Sequence, residues 1–284
     1  MAIHESSDLP QGASIHLEYL MQHKPHTMPS MHVHTHYELF YLMGGERTYF
    51  LNDRTFSLKG GDIILIPPDV LHKTVSHGSS FYERTLISFE GSFIEDLVKI
   101  HPALDPKEIF KTELLQVKAE DKTLIEMLIF KMLQEQDSDK ETSQIQLQLL
   151  LAELLLILKD MQSGILALPV SYPNEMHEKI SEIIQYINSH YMDPLSLELI
   201  EERFYMSRYH FCRNFKAITG MTFTEYLNVI RVQEAQKLLR NTSLPVHEIA
   251  LKSGFETQSH FSRVFKSKSQ MTALRYRHSA LHLR

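Results

Sequence analysis

Short apolar runs separated by turn residues fill the first third of the chain. Between Ala13 and Phe89 these runs are rich in β-branched and aromatic residues. They read ASIHLEYLM, HYELFYLM, RTYFL, RTFSL, DIILI, HKTVS and FYERTLISF, and the interruptions include Gly44-Gly45, Asn52-Asp53, Gly60-Gly61 and Pro67-Pro68. Such spacing is typical of a barrel or jelly roll, because closure of the sheet removes exposed strand edges. The pattern predicts a small antiparallel β-barrel with turns at these interruptions.

Beyond Gly91 the spacing of apolar residues becomes helical. One helix is predicted near Asp121–Gln136 and a longer, leucine-rich one near Glu141–Met161. The second helix has two stripes that cannot both face a single core. One comprises Ile145, Leu149, Leu151/Ala152, Leu155/Leu156 and Lys159, and the other Leu147, Leu150, Leu154 and Leu158. A helix that is apolar over most of its circumference is buried on several sides. We therefore expect one face to pack on the barrel and the other to meet a second subunit; a helix enclosed within one chain is the alternative.

Residues 163–174, SGILALPVSYPN, have no clear periodicity and predict a linker. Helical periodicity then returns, with helices expected at 175–190, 195–203, 207–218, 222–240, 245–252, 257–268 and 273–278. Ser207 and Thr257 are placed to cap two of them, and Thr222 with Glu225 forms a capping box. The chain is thus predicted to be an α+β multidomain protein. Residues 1–162 form a β-barrel or jelly roll with added helices, and residues 175–284 form an all-α domain of seven helices.

A repeated heptad divides the C-terminal helices into two similar units. HFCRNFK at His210–Lys216 recurs as HFSRVFK at His260–Lys266, fifty positions later. In each unit an apolar helix, a tight turn and the helix with the heptad follow one another, which is the layout of a helix-turn-helix. Two such surfaces side by side suit a repeating target such as DNA.

The phenylalanines and the arginine of each heptad are expected in different environments. The two phenylalanines are four residues apart and should face the core, whereas Arg213 and Arg263 lie on the opposite side. An exposed arginine can donate two hydrogen bonds to guanine in the major groove. The predicted DNA-reading face comprises Arg208, Tyr209, Cys212, Arg213 and Lys216 in the first unit and Gln258, Ser259, Ser262, Arg263 and Lys266 in the second. The alternative is that both arginines are ordinary solvated charges.

Charge is divided unevenly along the chain. Residues 1–170 carry 14 Lys and Arg against 24 Asp and Glu, a net charge of −10, whereas residues 203–284 carry 14 against 4, a net charge of +10. The overall charge of −6 therefore conceals a basic C-terminal block. Because Lys and Arg neutralise phosphates and release counterions, this block favours a polyanionic partner over a merely solvated surface.

Cysteine usage and the N-terminus bear on location. Cys212 is the single cysteine, so no internal disulfide can form, and no apolar run approaches the roughly 18 residues of a membrane-spanning helix. The first residues, MAIHESSDLPQG, are acidic and polar where a secretory signal has a basic region and an apolar core. These features predict a cytoplasmic protein with no membrane partner.

Several motifs flank the two heptads. They include Thr219-Gly220-Met221-Thr222, Ile230-Arg231-Val232, Ser253-Gly254-Phe255 and Tyr276-Arg277. With these motifs, residues 175–277 resemble the paired helix-turn-helix domain of AraC/XylS-type bacterial transcription regulators. The resemblance implies that the helix at 222–240 bridges two half-domains, whose reading helices enter successive major-groove segments of double-stranded DNA roughly 34 Å apart.

Two positions depart from the pattern of that family. Gln270 stands where the family usually has glycine, and Ala273 where it usually has proline. A non-glycine residue in a left-handed helix cap costs about 1 kcal/mol. We therefore expect the second reading helix to end differently from the first, which keeps Gly220, or to be less rigid.

Four residues of the predicted barrel form a candidate metal or effector site. His32, His34 and Glu38 lie at even positions of a predicted strand and so share a face, and His72 comes from a later strand. Three imidazoles and a carboxylate suit a first-row divalent metal ion. His36 has the same parity and could crowd or supplement the set.

The spacing of these four residues, with Gly45, Gly61 and Pro67, resembles the two cupin motifs. Asp69 replaces the glycine of the second motif, and Ser76 replaces its usual asparagine. Regulators of the AraC type often have such a cupin-like sensor domain, in which the barrel binds an effector, commonly a sugar. A metal site, a metal-free effector pocket and simple core histidines all stay open for the cluster.

The resemblance implies a sequence-specific DNA-binding transcription regulator. We expect it to be an activator that responds to a sugar or related metabolite, binds promoter half-sites as a homodimer and contacts RNA polymerase. No enzymatic activity is expected, and no cofactor apart from a divalent metal in the barrel. An effector-independent DNA-binding regulator and a metal-dependent cupin enzyme are the alternatives.

Overall fold

A computed structural model gives the fold and describes residues 9–23, 27–76, 81–162, 172 and 174–281. The chain divides into two compact units, Met1–Pro173 and Asn174–Arg284. Apart from Tyr172 and Asn174, the predicted linker lies outside the described residues. Within those ranges, no helix is both long enough and apolar enough to cross a membrane.

The first unit is built on an antiparallel sheet, as the sequence predicts. Its strands are β1 Ile15–Gln22, β2 Tyr37–Leu51, β3 Arg54–Lys59, β4 Asp62–Ile66, β5 His72–Ser76, β6 Tyr82–Phe89 and β7 Leu114–Gln116. The strand order is β1-β6-β2-β4-β7, and β3 and β5 both pair with β2. The short strand β7 was not predicted.

Gly44-Gly45 lies inside β2, so the predicted turn at this pair is wrong. The register of β2 against β6 shifts between Leu42 and Gly44, which marks a β-bulge. Gly45 has a φ of +87°, and a Cβ atom there would collide with the carbonyl oxygen of Phe81, so only glycine fits without strain. Up to Gly45 β2 pairs with β6, and over Glu38–Tyr41 also with β4; from Glu46 onward it pairs with β3 and β5. One strand therefore belongs to both halves of the sheet.

Residues of β2 alternate between two hydrophobic clusters. Leu39 and Tyr41 belong to the cluster shared with the helices of this unit, while Phe40 and Leu42 belong to a second cluster inside the sheet, with Tyr49. The helices are α1 Glu95–Ile100, α2 Pro106–Ile109, α3 Ala119–Gln136 and α4 Ser143–Gln162. The predicted helices near 121–136 and 141–161 correspond to α3 and α4, and the short helices α1 and α2 were not predicted.

The two apolar stripes of α4 have different environments in this unit. Leu147, Leu154 and Leu158 are fully buried in the cluster shared with the sheet. Ile145 is 57% exposed and Leu149 is 53% exposed. The stripe with Leu147 therefore packs on the sheet as expected. The other predicted stripe is divided: Leu151, Ala152 and Leu155 are also buried, and only Ile145, Leu149 and Leu156 are exposed.

The second unit is all helical. Its helices are α5 Glu175–His190, α6 Leu197–Phe204, α7 Arg208–Thr219, α8 Phe223–Asn241, α9 Val246–Lys252, α10 Gln258–Ser269 and α11 Ala273–Leu281. The predicted caps are present: Ser207 accepts from His210 N, Thr257 accepts from His260 N, and Thr222 and Glu225 form a capping box. All four heptad phenylalanines are fully buried, as predicted.

Both reading helices end in a left-handed residue, so, contrary to expectation, Gln270 does not change the conformation of the cap; a less rigid second helix stays a prediction. Gly220 has a φ of +79° at the end of α7, and Gln270 has a φ of +54° at the end of α10, so both caps are left-handed. The Gln270 side-chain amide donates to Ser267 O at 3.0 Å. This bond accompanies the left-handed cap without glycine, and Ala273 simply begins α11.

Candidate functional site

The predicted reading face is formed by the outer sides of α7 and α10. Nine of its ten residues are exposed, and Cys212 is half-buried. Tyr209 is 77% exposed, although it is a large aromatic residue. Arg213 and Arg263 are exposed at equal places in the two heptads. In the described part of the chain, neither arginine is paired with a carboxylate.

Arg208 differs from these two arginines because acids of α6 hold its guanidinium. Its Nη1 lies 2.6 Å from Glu198 Oε1, and its Nε lies 3.0 Å from Glu201 Oε2. Its backbone N also donates to Glu201 Oε1 at 3.4 Å. Neither acid was among the site residues predicted from the sequence. The signal that could have found them is a pair of glutamates one turn apart on the helix that precedes an arginine-initiated helix.

The two helix-turn-helix copies align by burial and backbone conformation. Ile200 and Ile249 are fully buried, and each lies five residues before the left-handed residue of the turn, Tyr205 or Gly254. This alignment places Glu201 of the first copy opposite the buried Ala250 of the second. The second turn then has one more residue before its reading helix.

Tyr205, in the tight turn before α7, is a further exposed residue beside the reading face, and it was not predicted as a site residue. It is 96% exposed and has a φ of +52°. A left-handed conformation costs about 1–2 kcal/mol for a residue with a Cβ atom. Its exposure could have been predicted from the sequence, because it is an aromatic residue in a turn and has no apolar partner nearby in the sequence.

The histidines of the first unit do not lie in one strand, so the predicted alternation over 32–38 is wrong. His32 forms an isolated bridge with His72, and His34 and His36 lie in the segment before β2. The chain bends there, and the rings of His34 and His36 stack with centroids 4.0 Å apart. Only Glu38 lies in a regular strand at this point, because β2 begins at Tyr37.

Three of the four predicted ligands nevertheless converge. His34 Nε2 lies 3.2 Å from Glu38 Oε2, and His72 Nε2 lies 3.6 Å from Glu38 Oε1. All three side chains are buried, and one ligand atom from each lies within 4.8 Å of the others. His32 is not part of this set; its ring packs against that of His72 with centroids 4.1 Å apart.

Burial and mutual contact shift the pKa values in this cluster. Burial lowers the pKa of His72 to about 3, which leaves its ring neutral. Burial alone would raise the pKa of Glu38, but a hydrogen bond from His34 and the positive charge of His72, His34 and His32 in their protonated forms lower it to about 2. Glu38 is therefore a carboxylate at neutral pH, and Tyr49 Oη donates to it at 3.4 Å.

A pocket of about 410 Å³ opens beside the cluster. Residues 9–14, Thr35, His36 and Glu90 line it, and several of these supply polar groups. Because the ring of His36 stacks on that of His34, the pocket is one residue away from the converging ligands. Its size is that of a small-molecule site.

Two family models match the chain. The model described as an AraC-like ligand binding domain matches residues 14–155, and the model described as a helix-turn-helix domain matches residues 200–279. The first match spans the sheet with α1–α4, and the second spans both helix-turn-helix copies.

Relatives extend the similarity over nearly the whole chain. An uncharacterized helix-turn-helix regulator of Bacillus subtilis, YfiF, is 26% identical over 91% of this chain and 82% of its own. The transcriptional activator RhaR of an Enterobacter species is 24% identical over 89% of each chain. Among solved structures, ToxT of Vibrio cholerae is 18% identical with a TM-score of 0.36, over 93% of this chain and 98% of its own.

Proposed function

Because this chain belongs to the AraC family of DNA-binding transcription regulators, we propose that it activates promoters by binding DNA half-sites in response to a small-molecule effector. It has an AraC-like ligand-binding domain and a helix-turn-helix domain, and its role is that of a regulator and not an enzyme. Activation, the effector and the residues that bind each partner are parts of the proposal. As an activator it would also contact RNA polymerase.

The reading face on α7 and α10 supports the DNA-binding part of the proposal. Arg213 and Arg263 occupy the same position in the two heptads. Each is exposed on the side of its helix that faces away from the buried phenylalanines, and this is the main support for DNA binding by this face. Each guanidinium can meet the O6 and N7 atoms of guanine. Gln258 and Ser262 flank Arg263, and Tyr209 and Lys216 flank Arg213.

Selection of genomic fragments by the full chain, followed by footprinting, tests this assignment. We expect protection of two adjacent major-groove segments. Arg213→Ala and Arg263→Ala should each weaken binding by about 1–3 kcal/mol and relax base preference at one position. Arg275→Ala, which removes an exposed charge from α11, is the matched control. Parent-like binding of selected DNA by both heptad variants would contradict the proposed face.

The pocket beside His36 supports a polar effector such as a sugar. Hydroxyl-rich molecules need donors and acceptors, which Gln11, Ser14, Thr35 and Glu90 can supply. An effector shifts DNA binding only if its affinity differs between two arrangements of the protein. Footprints recorded with a panel of sugars test this part, and footprints that no sugar alters would favour an effector-independent regulator.

The exposed stripe of α4 supports a homodimer. Ile145, Leu149 and Leu156 form an apolar stripe on one helix, and α3 adds the exposed Met127 and Phe130. Apolar patches of this kind mark interaction surfaces. Two identical copies of the patch fit a twofold symmetric contact. A dimer would then present four reading helices to DNA.

Sedimentation of variants tests the dimer. Leu149→Gln combined with Ile145→Gln should produce monomers, because both side chains are exposed and their loss removes apolar area only from the proposed interface. Leu274→Gln, at an exposed leucine of α11, is the control and should leave the mass unchanged. A parent that is already monomeric would contradict the homodimer.

The cluster of His34, Glu38 and His72 supports a divalent metal ion in the first unit. Each histidine Nδ1 lies 2.9 Å from a backbone carbonyl, of His36 or of Val70, and a carbonyl can only accept. In a neutral ring the proton is then on Nδ1, and the Nε2 lone pair is directed at the Glu38 carboxylate. Acceptors that face one another at 3.2–3.6 Å are stabilised by a cation between them. Such an ion would fix His34, whose ring stacks on that of His36, and His36 lines the pocket.

Metal analysis of the purified chain tests this part directly. We expect one bound Zn²⁺ or Co²⁺ per chain, with Co²⁺ giving ligand-field absorption, and loss of that ion in His34→Ala and His72→Ala. His101→Ala removes an exposed histidine elsewhere in the unit and should retain the metal. Equal metal content in all variants would contradict the site.

A further inference from the structure

Glu198 and Glu201 occupy the side of the Arg208 guanidinium that a DNA phosphate could otherwise take. A guanidinium binds carboxylate and phosphate oxygens through the same planar arrangement of N–H donors. Nη1 and Nε of Arg208 each have a carboxylate oxygen within 3.0 Å. At least one of the two ion pairs must therefore break before the Arg208 guanidinium can bind a phosphate through these N–H donors.

The second copy has no such cluster at its reading helix. Gln258 begins α10 where Arg208 begins α7, and Ala250 takes the place of Glu201. Within the ranges that the structure covers, Gln258 has no carboxylate partner. The ion pairs are therefore a property of the first copy and not of the fold.

We propose that Glu198 and Glu201 keep Arg208 away from DNA, so that the first reading helix binds through its other residues until these ion pairs open. This inference rests on the proposed DNA-binding function. Glu198, Glu201 and Arg208 are all partly exposed, and ion pairs of this kind contribute little to stability. A phosphate can therefore replace the acids. The ion pairs would then contribute to specificity, because a DNA segment whose phosphate displaces the acids gains a contact with Arg208 that other DNA lacks.

Release of Arg208 should add one phosphate contact, which is measurable without knowledge of the operator. The probe is a random-sequence duplex of about 30 base pairs, long enough for two successive major-groove segments. Glu201→Ala in the full chain should raise its affinity roughly two- to fivefold. The slope of log affinity against log salt should steepen by about 0.9, the value for one further phosphate. Glu201→Gln keeps the size of the side chain and should act in the same direction.

The matched control is Glu202→Ala. It removes the same charge from α6, and in the described structure Glu202 has no ion pair with Arg208. It should leave the salt slope unchanged. Thermal unfolding of each variant shows whether the chain still folds.

A double-mutant cycle shows whether the effect acts through Arg208. Arg208→Ala alone should weaken binding less than Arg213→Ala does, because the held guanidinium offsets the charge of its acids but contacts no phosphate. In combination with Glu201→Ala it should abolish the gain.

Three results would overturn the inference: a gain that persists without Arg208, an equal gain in Glu202→Ala, or a loss in Arg208→Ala as large as in Arg213→Ala. Failure of the parent to bind DNA in a salt-dependent manner would instead overturn the proposed function itself, and the two failures are thereby distinguished.

Discussion

The two helix-turn-helix copies pack the second phenylalanine of their heptads in the same way. Phe215 meets Tyr226 edge-to-face with centroids 5.5 Å apart, and Phe265 meets Tyr276 edge-to-face at 5.7 Å. Both phenylalanines are fully buried. A buried ring must fill a fixed volume, so both copies retain the same residue and the same contact.

The surfaces of the two copies have diverged. The first has an arginine held by two acids at the start of α7 and the exposed Tyr205 and Tyr209, whereas the second has Gln258 and Ser259 at the start of α10. Side chains in solvent need not fill a fixed space, and each surface can adapt to its own DNA segment. The repeat therefore preserves a scaffold, while the two proposed reading helices present different side chains to solvent.

The largest expected effect tests the shared interior. Phe215→Ala and Phe265→Ala should each lower the free energy of unfolding by about 3–5 kcal/mol, because each leaves a cavity in a fully buried site. Urea unfolding followed by far-UV circular dichroism measures the change. Leu251→Ala, at an exposed position of α9, is the control and should stay within about 0.5 kcal/mol. Unequal losses in the two phenylalanine variants would break the equivalence of the interiors.

A smaller effect is expected at the left-handed residues of the two turns. Gly254 has a φ of +82°, and a Cβ atom there would lie 2.5 Å from Tyr191 O, so Gly254→Ala should cost at least about 2 kcal/mol of unfolding free energy. Tyr205 is exposed, and Tyr205→Ala should change the same quantity by less than about 0.5 kcal/mol. Thermal or urea unfolding compares them. Similar losses at both turns would show that the first turn is as tightly packed as the second.

The smallest effect concerns the ends of the reading helices. Gln270→Gly should stabilise the chain by up to about 1 kcal/mol, since glycine enters the left-handed region without strain, although the bond to Ser267 O is lost. Gly220→Gln should destabilise by a similar amount. Melting temperatures of the two variants give the sign of each change, and a Gln270→Gly variant that is less stable than the parent would mean that the side-chain bond outweighs the backbone strain.

Much of the second unit could be predicted from sequence because its signals are local. Capping residues such as Ser207 and Thr257 and the spacing of the heptad phenylalanines act within one helix, so they appear in a short stretch of sequence. In the first unit the glycine pair at 44–45 was interpreted as a turn, because a bulge and a turn both require a positive φ. The helix Pro106–Ile109 is too short to show a periodicity.

Site residues could be predicted from the sequence only where they lie on a single helix or strand. Exposure of Arg213 and Arg263 follows from helical spacing, but the ion pairs of Arg208 depend on how α6 crosses α7, which no local pattern reports. The convergence of His34, Glu38 and His72 was predicted for the wrong reason, because the chain bends before β2 and does not continue as a strand. The spacing of these residues along the chain was enough to predict that they lie close together. The bend before β2 determines which of their atoms face each other.

The pairing of β1 has a consequence for the synthesis of the chain on the ribosome. Among the described strands β1 pairs with β6 alone, with Ile15 opposite Phe89 and Gln22 opposite Tyr82. At about 5–20 residues per second, β1 emerges several seconds before its partner exists. During this interval its N–H and C=O groups are open to other nascent chains. Translation speed between the first strand and Phe89 therefore sets how long this end of the protein is exposed to misassembly.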